Sequence, residues 1–314
     1  MITMSFIIAL IQAIVLISIS PMITGLIRKF KAWMQHRKGS RILQPYSDIW
    51  KLLHKDEVVS QNTSWLFRFI PYVCFASMVL LALMVPFMFV DIIAPYGDLI
   101  TLVYIFTLYR FMMVLGGLEG GSAFGGMGSS REMMMSVLIE PALLLALMTM
   151  CVLSTGGTDI SAIPALLCNM GLAAFCPALI LAAASFMITL TAENARLPFD
   201  NPTSHLELTM IHEGMLLEYS GRSLALMELS SMMRLTIMFT MLGTLFLPWG
   251  ISQTTEPLDL LIGLITIIVK LIIFSFALAI AESSSTKIRL FKIQNLLTAS
   301  FVLAILAIMT LYIL

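Results

Sequence analysis

Long uninterrupted apolar runs are the feature that most restricts the fold of this sequence. A helix needs about 20 apolar residues to cross the roughly 30 Å hydrocarbon core of a bilayer. Runs that approach or exceed this length lie at residues 3–26, 69–90, 99–118, 133–153, 166–190, 232–248, 258–280 and 296–314. Because backbone polar groups must be satisfied within lipid, we predict an all-α polytopic integral membrane protein with about eight transmembrane helices and two long cytoplasmic loops.

Composition supports that class and excludes others. Only 11% of the residues are charged, whereas a soluble domain carries roughly 25%. The net charge is zero, so nucleic-acid binding is excluded for want of a basic excess that could engage phosphates. No C-x-x-C spacing relates the four cysteines, so we predict packing or lipid-facing thiols without a disulfide framework or metal site; they are Cys74, Cys151, Cys168 and Cys176.

The distribution of basic residues predicts the orientation of the chain. The loop after the first run holds Arg28, Lys29, Lys31, Arg37, Lys38, Arg41, Lys51 and Lys55. No lysine or arginine occurs in the loops at 91–98, 154–165 and 249–257. The positive-inside rule therefore places both termini on the outer side of a cytoplasmic (inner) membrane. We expect one membrane domain over 1–314, with cytoplasmic loops at about 27–66 and 191–231.

These two loops carry more apolar residues than ordinary connections. Residues 27–66 combine basic side chains with Trp33, Trp50 and several leucines, a pattern that favours short amphipathic helices at the interface. Residues 191–231 mix acidic and apolar residues and are too hydrophobic for a disordered linker. A connection of this length usually has a function, so we expect it to fold back and serve a site or a docking partner.

Three ionisable residues, Arg110, Glu140 and Lys270, interrupt the apolar runs. A charge near the middle of a bilayer costs about 2.5 to 3.5 kcal/mol even on the lenient insertion scale, so each must be paired or wet. Glu140 is either a proton-carrying group or the fixed partner of Arg110 or Lys270. Lys270 is a switching base or a fixed counter-ion. Arg110 cannot readily lose its proton and would hold Glu119 or Glu140 ionised.

Further acids extend this predicted polar path toward the cytoplasm. Glu193 and Glu282 lie at the cytoplasmic ends of their runs and suggest a line of acids that leads inward. Glu119 and Glu132 are expected at helix ends, where water could solvate them.

Two other features have simpler interpretations. His205 and His212 are too few ligands for a metal site and are interpreted as hydrogen-bonded loop groups. The glycine-rich run 116–128 has no Lys-Ser/Thr ending, so we expect a closely packed re-entrant turn rather than a phosphate loop.

Several motifs resemble one known family. Leu197-Pro198-Phe199-Asp200, Glu207-Leu208 and Glu218-Tyr219-Ser220-Gly221 resemble the third cytoplasmic loop of the membrane subunit shared by respiratory complex I and the group 4 membrane-bound nickel–iron hydrogenases. Gly117 to Ser122, Gly128 to Pro141, and Gln44, Asp48, Lys51 and Leu52 agree with it. The Gly-Ser-x-Phe and Ser-Arg-Glu-Met forms are similar to the formate hydrogenlyase branch.

The resemblance implies a heel subunit that joins an electron-transfer arm to an ion-translocating membrane arm. Its expected partners are hydrogenase-like large and small subunits, an iron–sulfur subunit, antiporter-like membrane subunits and the lipid bilayer. Iron–sulfur clusters, and a nickel–iron centre where the large subunit retains one, would belong to those partners, and this chain would bind no cofactor or metal. Candidate coupling residues are Glu119, Glu132, Glu140, Glu193, Lys270, Glu282 and Arg110. Candidate arm-docking or chamber residues are Arg37, Gln44, Asp48, Lys51, Arg131, Asp200, His205, Glu207, Glu213 and Glu218.

The sequence also departs from the family pattern. The first loop has Arg37-Lys38-Gly39-Ser40 where relatives carry Arg-x-Gly-Pro, and Thr203 and His205 replace two acidic residues. These departures remove acidic residues from the expected chamber, so quinone chemistry is not assumed. One alternative function is that of a quinone-chamber subunit of a complex I-like reductase. A stand-alone secondary ion transporter is a second alternative, although the two related halves common in transporters are missing here.

Overall fold

Helices make up most of the computed structural model, which describes residues 2–60, 63–87, 98–154, 157–160, 163–164, 167, 176–200, 210–251 and 257–313. A π-helical segment, Leu242–Phe246, continues the α-helix Gly221–Met241, and a short 3-10 turn, Glu213–Leu216, precedes that helix. The α-helices of these ranges are α1 Ile2–Met34, α2 Gln44–Leu53, α3 Trp65–Met84, α4 Leu99–Glu119, α5 Ala123–Ser154, α6 Pro177–Glu193, α7 Gly221–Met241, α8 Pro257–Ser284 and α9 Leu290–Ile313.

Seven of the described helices are long and apolar enough to cross a membrane. They are α1, α3, α4, α5, α7 with its π segment, α8 and α9. Helix α6 is apolar but shorter, and the first part of its predicted run, 166–190, lies largely outside the described residues. The predicted all-α polytopic membrane protein is confirmed, with seven candidate spans among the described residues and the shorter helix α6 in the described part of the eighth predicted run.

The predicted starts of two helices are wrong. Helix α5 begins at Ala123 rather than at residue 133, and α7 begins at Gly221 rather than at residue 232. The connection predicted at 191–231 therefore ends at Ser220. Hydropathy missed both starts because they carry polar residues, some of which are buried in the protein, such as Ser129 on α5 and Ser223 on α7. The apolar part of α7 is also enclosed by protein, since 89% of its most apolar window is buried, compared with 28% for α8.

Helix α7 lies at the centre of the bundle. It packs against α1, α2, α3 and α8, while α9 packs against α5 and α6 on the other side. The α6–α9 contact is closed by two serines, since Ser185 Oγ donates to the Ser300 carbonyl at 2.9 Å and Ser300 Oγ donates to the Ser185 carbonyl at 3.1 Å. Such polar contacts and small side chains are how helices associate inside a bilayer.

The glycine-rich run forms a tight hairpin between α4 and α5, so the predicted re-entrant turn is wrong. Gly121 has φ +65°, a left-handed conformation that favours glycine. A Cβ atom on Gly117 would lie 2.5 Å from Ser129 Oγ, and one on Gly125 would lie 2.4 Å from the Gly117 carbonyl. The expected close backbone packing is therefore present, between two continuous helices.

The connections at one end of the bundle interlock, and we call this end the loop face (α2 with residues 35–43, 54–60, 63–64, 120–122, 194–200, 210–220 and 285–289). Helix α2 is amphipathic as predicted, with Ile49 buried and Trp50 exposed. Ser220 Oγ donates to the Val58 carbonyl and accepts from the Val58 amide, both at 2.8 Å. Gly221, with φ +51°, lies so close that a Cβ atom would be 2.7 Å from the Asp56 carbonyl. The first loop is thus fixed to the start of α7.

The cysteines follow the packing prediction where they are described. Cys74 and Cys151 are buried free thiols and Cys176 is partly buried. Cys168 lies outside the described residues.

Candidate functional site

A buried arginine on α4 brings carboxyl groups from two other helices together. Arg110 is only 3% exposed. Its Nη1 atom lies 3.1 Å from Glu140 Oε1 and its Nε atom lies 3.5 Å from Glu132 Oε1, both on α5. Its Nη2 atom also contacts Glu193 at the end of α6. Of the two partners considered for Glu140, the structure pairs it with Arg110.

A second arginine, Arg234 on α7, completes the cluster. It is fully buried, with its Cζ atom 5.0 Å from the centre of the Tyr109 ring, a cation–π distance. Its Nη1 atom lies 3.9 Å from Glu193 Oε1, and its Nη2 atom lies 3.3 Å from Nε2 of His212. Two guanidinium groups therefore share Glu193. We call Arg110, Glu132, Glu140, Glu193 and Arg234 the buried ion cluster.

The charges of the buried ion cluster do not balance. Two guanidinium groups face three carboxyl groups among the described residues. Arginine keeps its proton in proteins, so only the carboxyl groups can take up or release one. The cluster can therefore hold an exchangeable proton. Glu140 is its most accessible member, with 35% of the side chain exposed, beside the exposed Val137.

A cavity of 590 Å³ opens on the loop face, next to this cluster. Glu282 on its wall lies 2.8 Å from Lys31 Nζ and 3.5 Å from Arg196 Nη1. The lining residues come from α1, the 194–200 segment, the 3-10 turn, α7 and α8: Thr24, Ile27, Arg28, Lys31, Asn194, Ala195, Arg196, Asp200, His212, Glu213, Leu216, Leu217, Tyr219, Leu224, Glu228, Ser231, Met232 and Glu282.

Asp200 closes one side of this loop-face cavity. One of its carboxylate oxygens accepts from Lys287 Nζ at 2.6 Å and the other accepts from the Ile211 amide at 3.0 Å. These contacts join the 194–200 segment to the start of the 3-10 turn and to the connection between α8 and α9.

The surroundings of the cavity shift the pKa values of three residues that line it. Burial, together with the nearby Asp200 and Glu228 carboxyl groups, raises the pKa of Glu213 to about 7. Burial lowers the pKa of Arg196, an effect that the Glu282 carboxylate opposes. Burial and the Arg234 and Arg110 guanidinium groups lower the pKa of His212 well below its usual value. Near neutral pH the cavity thus contains a carboxyl group that can exchange a proton and a neutral imidazole.

The other predicted docking residues are spread over the loop face. Arg37, Lys51 and Glu218 are exposed. Gln44 Nε2 donates to Asp48 Oδ1 at 2.8 Å within α2. In addition, Arg131 Nη1 donates to the Met210 carbonyl at 3.0 Å. His205 and Glu207 lie outside the described residues.

One predicted position, that of Glu132, and one predicted partner, that of Glu119, are corrected. Glu132 is not at a solvated helix end, because α5 begins at Ala123 and the side chain is buried beside Arg110. Glu119 does lie at a helix end, but Arg110 does not hold it. Its carboxylate accepts from the Ser64 amide at 2.9 Å on the loop face.

Lys270 belongs to a different site. Its Nζ atom donates to the main-chain carbonyls of Gly243 at 2.9 Å, Leu247 at 2.5 Å and Trp249 at 2.6 Å. Gly243 lies within the π segment, and Leu247 and Trp249 follow it, where the regular hydrogen bonds of α7 stop. The predicted alternative of a Lys270–Glu140 pair is wrong, since Glu140 pairs with Arg110.

Arg234 is the main residue that sequence reasoning missed. It lies two residues inside the run predicted at 232–248, so it resembled an interfacial residue at a helix end. A usable signal was the four-residue spacing of polar side chains along α7. Thr236, Thr240 and Thr244 are all fully buried, as expected for a helix that faces protein rather than lipid.

Comparison with known proteins identifies the family. The family model described as NADH dehydrogenase matches residues 6–313. The chain belongs to the NADH dehydrogenase family. Among its relatives, formate hydrogenlyase subunit 4 of Escherichia coli (strain K12) is 36% identical over 309 residues, which cover 98% of this chain and 99% of that protein. Hydrogenase-4 component C of the same organism is 36% identical over 300 residues, which cover 95% and 93%.

A more distant relative and a solved structure agree with this assignment. NADH-quinone oxidoreductase subunit 8 of Rhodothermus marinus is 27% identical over 246 residues, which cover 74% of this chain and 69% of that protein. A chain in the structure of the membrane-bound sulfane sulfur reductase, an archaeal respiratory membrane complex, shares the fold, with a TM-score of 0.82 at 20% identity over 98% of this chain and 99% of that one. The present chain is therefore an integral membrane subunit of a respiratory-type oxidoreductase complex.

Proposed function

We propose that this chain is the membrane-anchoring and coupling subunit of a hydrogenase or hydrogenase-related oxidoreductase, in which it links electron transfer in a docked arm to proton or sodium translocation. One observation carries the proposal, a sequence of contacts from the loop-face cavity into the membrane part. It runs from His212 on the cavity wall through Arg234, Glu193 and Arg110 to Glu140.

The loop face is the proposed docking surface for the arm. Its connections already contact one another, through Ser220 and Val58 and through Lys287 and Asp200. A redox event in a docked subunit that shifts one connection would therefore move the cavity wall. The expected occupants are hydrogenase-like large and small subunits and an iron–sulfur subunit, which would hold the redox centres.

Glu140 is the last residue of this sequence of contacts and the proposed point at which the ion leaves this chain. Its side chain is the least buried of the cluster and lies on a face of α5 with exposed apolar neighbours, including Met133 and Val137. An exposed carboxyl group within a spanning helix calls for a polar partner. An antiporter-like membrane subunit packed on this face would supply one. In this arrangement both termini lie on the outer side and the loop face lies in the cytoplasm.

The test is Glu140→Gln in the purified complex, reconstituted in vesicles. Arg110 keeps Glu132 and Glu193 as partners, so we expect assembly to survive while ions pumped per electron fall. Glu140→Asp should be milder. Asp159→Asn is the matched control, because Asp159 is an exposed carboxylate at the opposite end of the bundle. An assembled Glu140→Gln complex with unchanged turnover and unchanged pumping would refute the proposal.

The loop-face cavity favours a second candidate function, that of a quinone-chamber subunit. Its 590 Å³ volume lies within the range of roughly 300 to 1,000 Å³ that is usual for small-molecule sites. Turnover of the purified complex with a short-chain quinone as the sole electron acceptor distinguishes the two. Reduction that ceases when bulky side chains replace Leu216 and Leu224 in the cavity wall would support the chamber. Absence of any quinone reduction would exclude it.

A further inference from the structure

His212 is the described residue that both lines the loop-face cavity and contacts the buried ion cluster. It precedes the 3-10 turn Glu213–Leu216 and is 6% exposed. Its Nε2 atom lies 3.3 Å from Arg234 Nη2. Sequence reasoning interpreted it as a loop histidine with no further role.

The chemistry of the contact fixes the state of the imidazole. A guanidinium group only donates hydrogen bonds, so Nε2 must accept. The ring is then neutral, with its proton on Nδ1. Burial and the two nearby arginines also favour the neutral form, because they lower the pKa of His212. In the described part of the chain Nδ1 has no hydrogen-bond partner, so the Arg234 contact is what holds the ring.

Because of this contact, Arg234 interacts with His212 on the loop face as well as with Glu193 in the cluster. Its Nη1 atom is 3.9 Å from Glu193 Oε1, an ion-pair distance too long for a hydrogen bond. Glu193 is left in direct contact with Arg110. If His212 moved away from Arg234, Glu193 would be the nearest acceptor for Arg234. A hydrogen bond between a guanidinium group and a carboxylate is charge-assisted, and such bonds are stronger than those between neutral groups. Arg110 would then be released toward Glu132 and Glu140.

We propose that His212 is the positioning residue of the coupling path, in which its Nε2 atom holds Arg234 off Glu193 and releases it when the cavity wall moves. This inference rests on the proposed function and names the link between the docking surface and Glu140. His212 acts through Arg234 and does not itself carry the translocated ion.

Two isosteric variants test the link. In His212→Gln the amide oxygen takes approximately the place of Nε2 and can still accept from Arg234, whereas in His212→Asn the amide ends near the place of Nδ1 and cannot reach. Both side chains are neutral and polar. We expect His212→Gln to retain wild-type pumping per electron. In His212→Asn pumping should fall by roughly tenfold, the size expected when a hydrogen bond to a charged group is lost, while redox turnover continues.

A double variant shows whether the effect runs through Arg234. In an Arg234→Lys background, the further change His212→Asn should have no additional effect, because contacting residues are not additive. Equal pumping in His212→Asn and wild type would overturn the inference, and so would failure of both single variants to assemble. If Glu140→Gln is impaired in the same preparations, the proposed function stands without this link. If Glu140→Gln is also unimpaired, the proposed function fails with it.

Discussion

Helix α7 takes part in two cation sites, a buried one toward the loop face and a partly buried one at its far end, and the described contacts of the two sites differ. Near the loop face, Arg234 and Arg110 are neutralised by carboxyl groups from α5 and α6. At the other end, Lys270 is held by main-chain carbonyls at the interrupted end of the same helix. Carboxyl groups can exchange protons and peptide carbonyls cannot. The loop-face site is therefore suited to ion chemistry, whereas the contacts described for Lys270 are suited to holding a helix end in place.

The largest expected effect is loss of assembly in Arg110→Met. This change leaves Glu132 and Glu193 buried without their closest cation, and a lost buried partner costs about 3 to 5 kcal/mol. The measurement is the amount of this chain recovered in the purified complex. Arg41→Met, at an exposed arginine, is the control. Normal recovery of the Arg110 variant would mean that the cluster does not depend on this charge.

A smaller effect is expected for Lys270→Met. Three carbonyls lose their donor, and a hydrogen bond to a charged group is worth about 1.5 to 3 kcal/mol, so the thermal midpoint of the complex should fall. Pumping per electron should not change, and this is what separates Lys270 from Glu140. Lys292→Met, at an exposed lysine, is the control. Reduced pumping at normal stability would place Lys270 in the ion path, as the sequence first suggested, and would show that both cation sites take part in coupling.

The smallest expected effect is a change in pH dependence in Glu213→Gln. A carboxyl group with a raised pKa binds its proton more tightly in the folded chain, so its contribution to stability is present below the unfolded value and is lost as the pH rises. For Glu213 that loss spans pH 4.5 to about 7. The thermal midpoint of the variant should decline less over this window than that of wild type or Asp159→Asn. Parallel curves would show that Glu213 does not titrate near neutral pH.

The sequence was sufficient for the class and most spans, and it named Arg110 as one of two possible partners of Glu140, because the cost of charge in lipid restricts where such residues can lie. It was insufficient wherever a helix is surrounded by protein. Polar first turns hid the starts of α5 and α7, and the second error made Arg234 look interfacial. The partners of Lys270 could not be predicted either, since carbonyls of an irregular segment have no side-chain signature. The role proposed for His212 could not be predicted either, since it depends on a contact between residues 22 positions apart.

The burial of α7 has a consequence for how the surrounding lipid acts on this subunit. Membranes differ in thickness, and a helix that faces lipid adjusts by tilting or by distorting the bilayer. Helix α8, with 28% of its most apolar window buried, is subject to such mismatch, whereas α7, at 89%, is shielded from it. Changes in bilayer thickness therefore reach Arg234 only through neighbouring helices, whereas Glu140, with 35% of its side chain exposed, lies on a helix that such changes can act on directly.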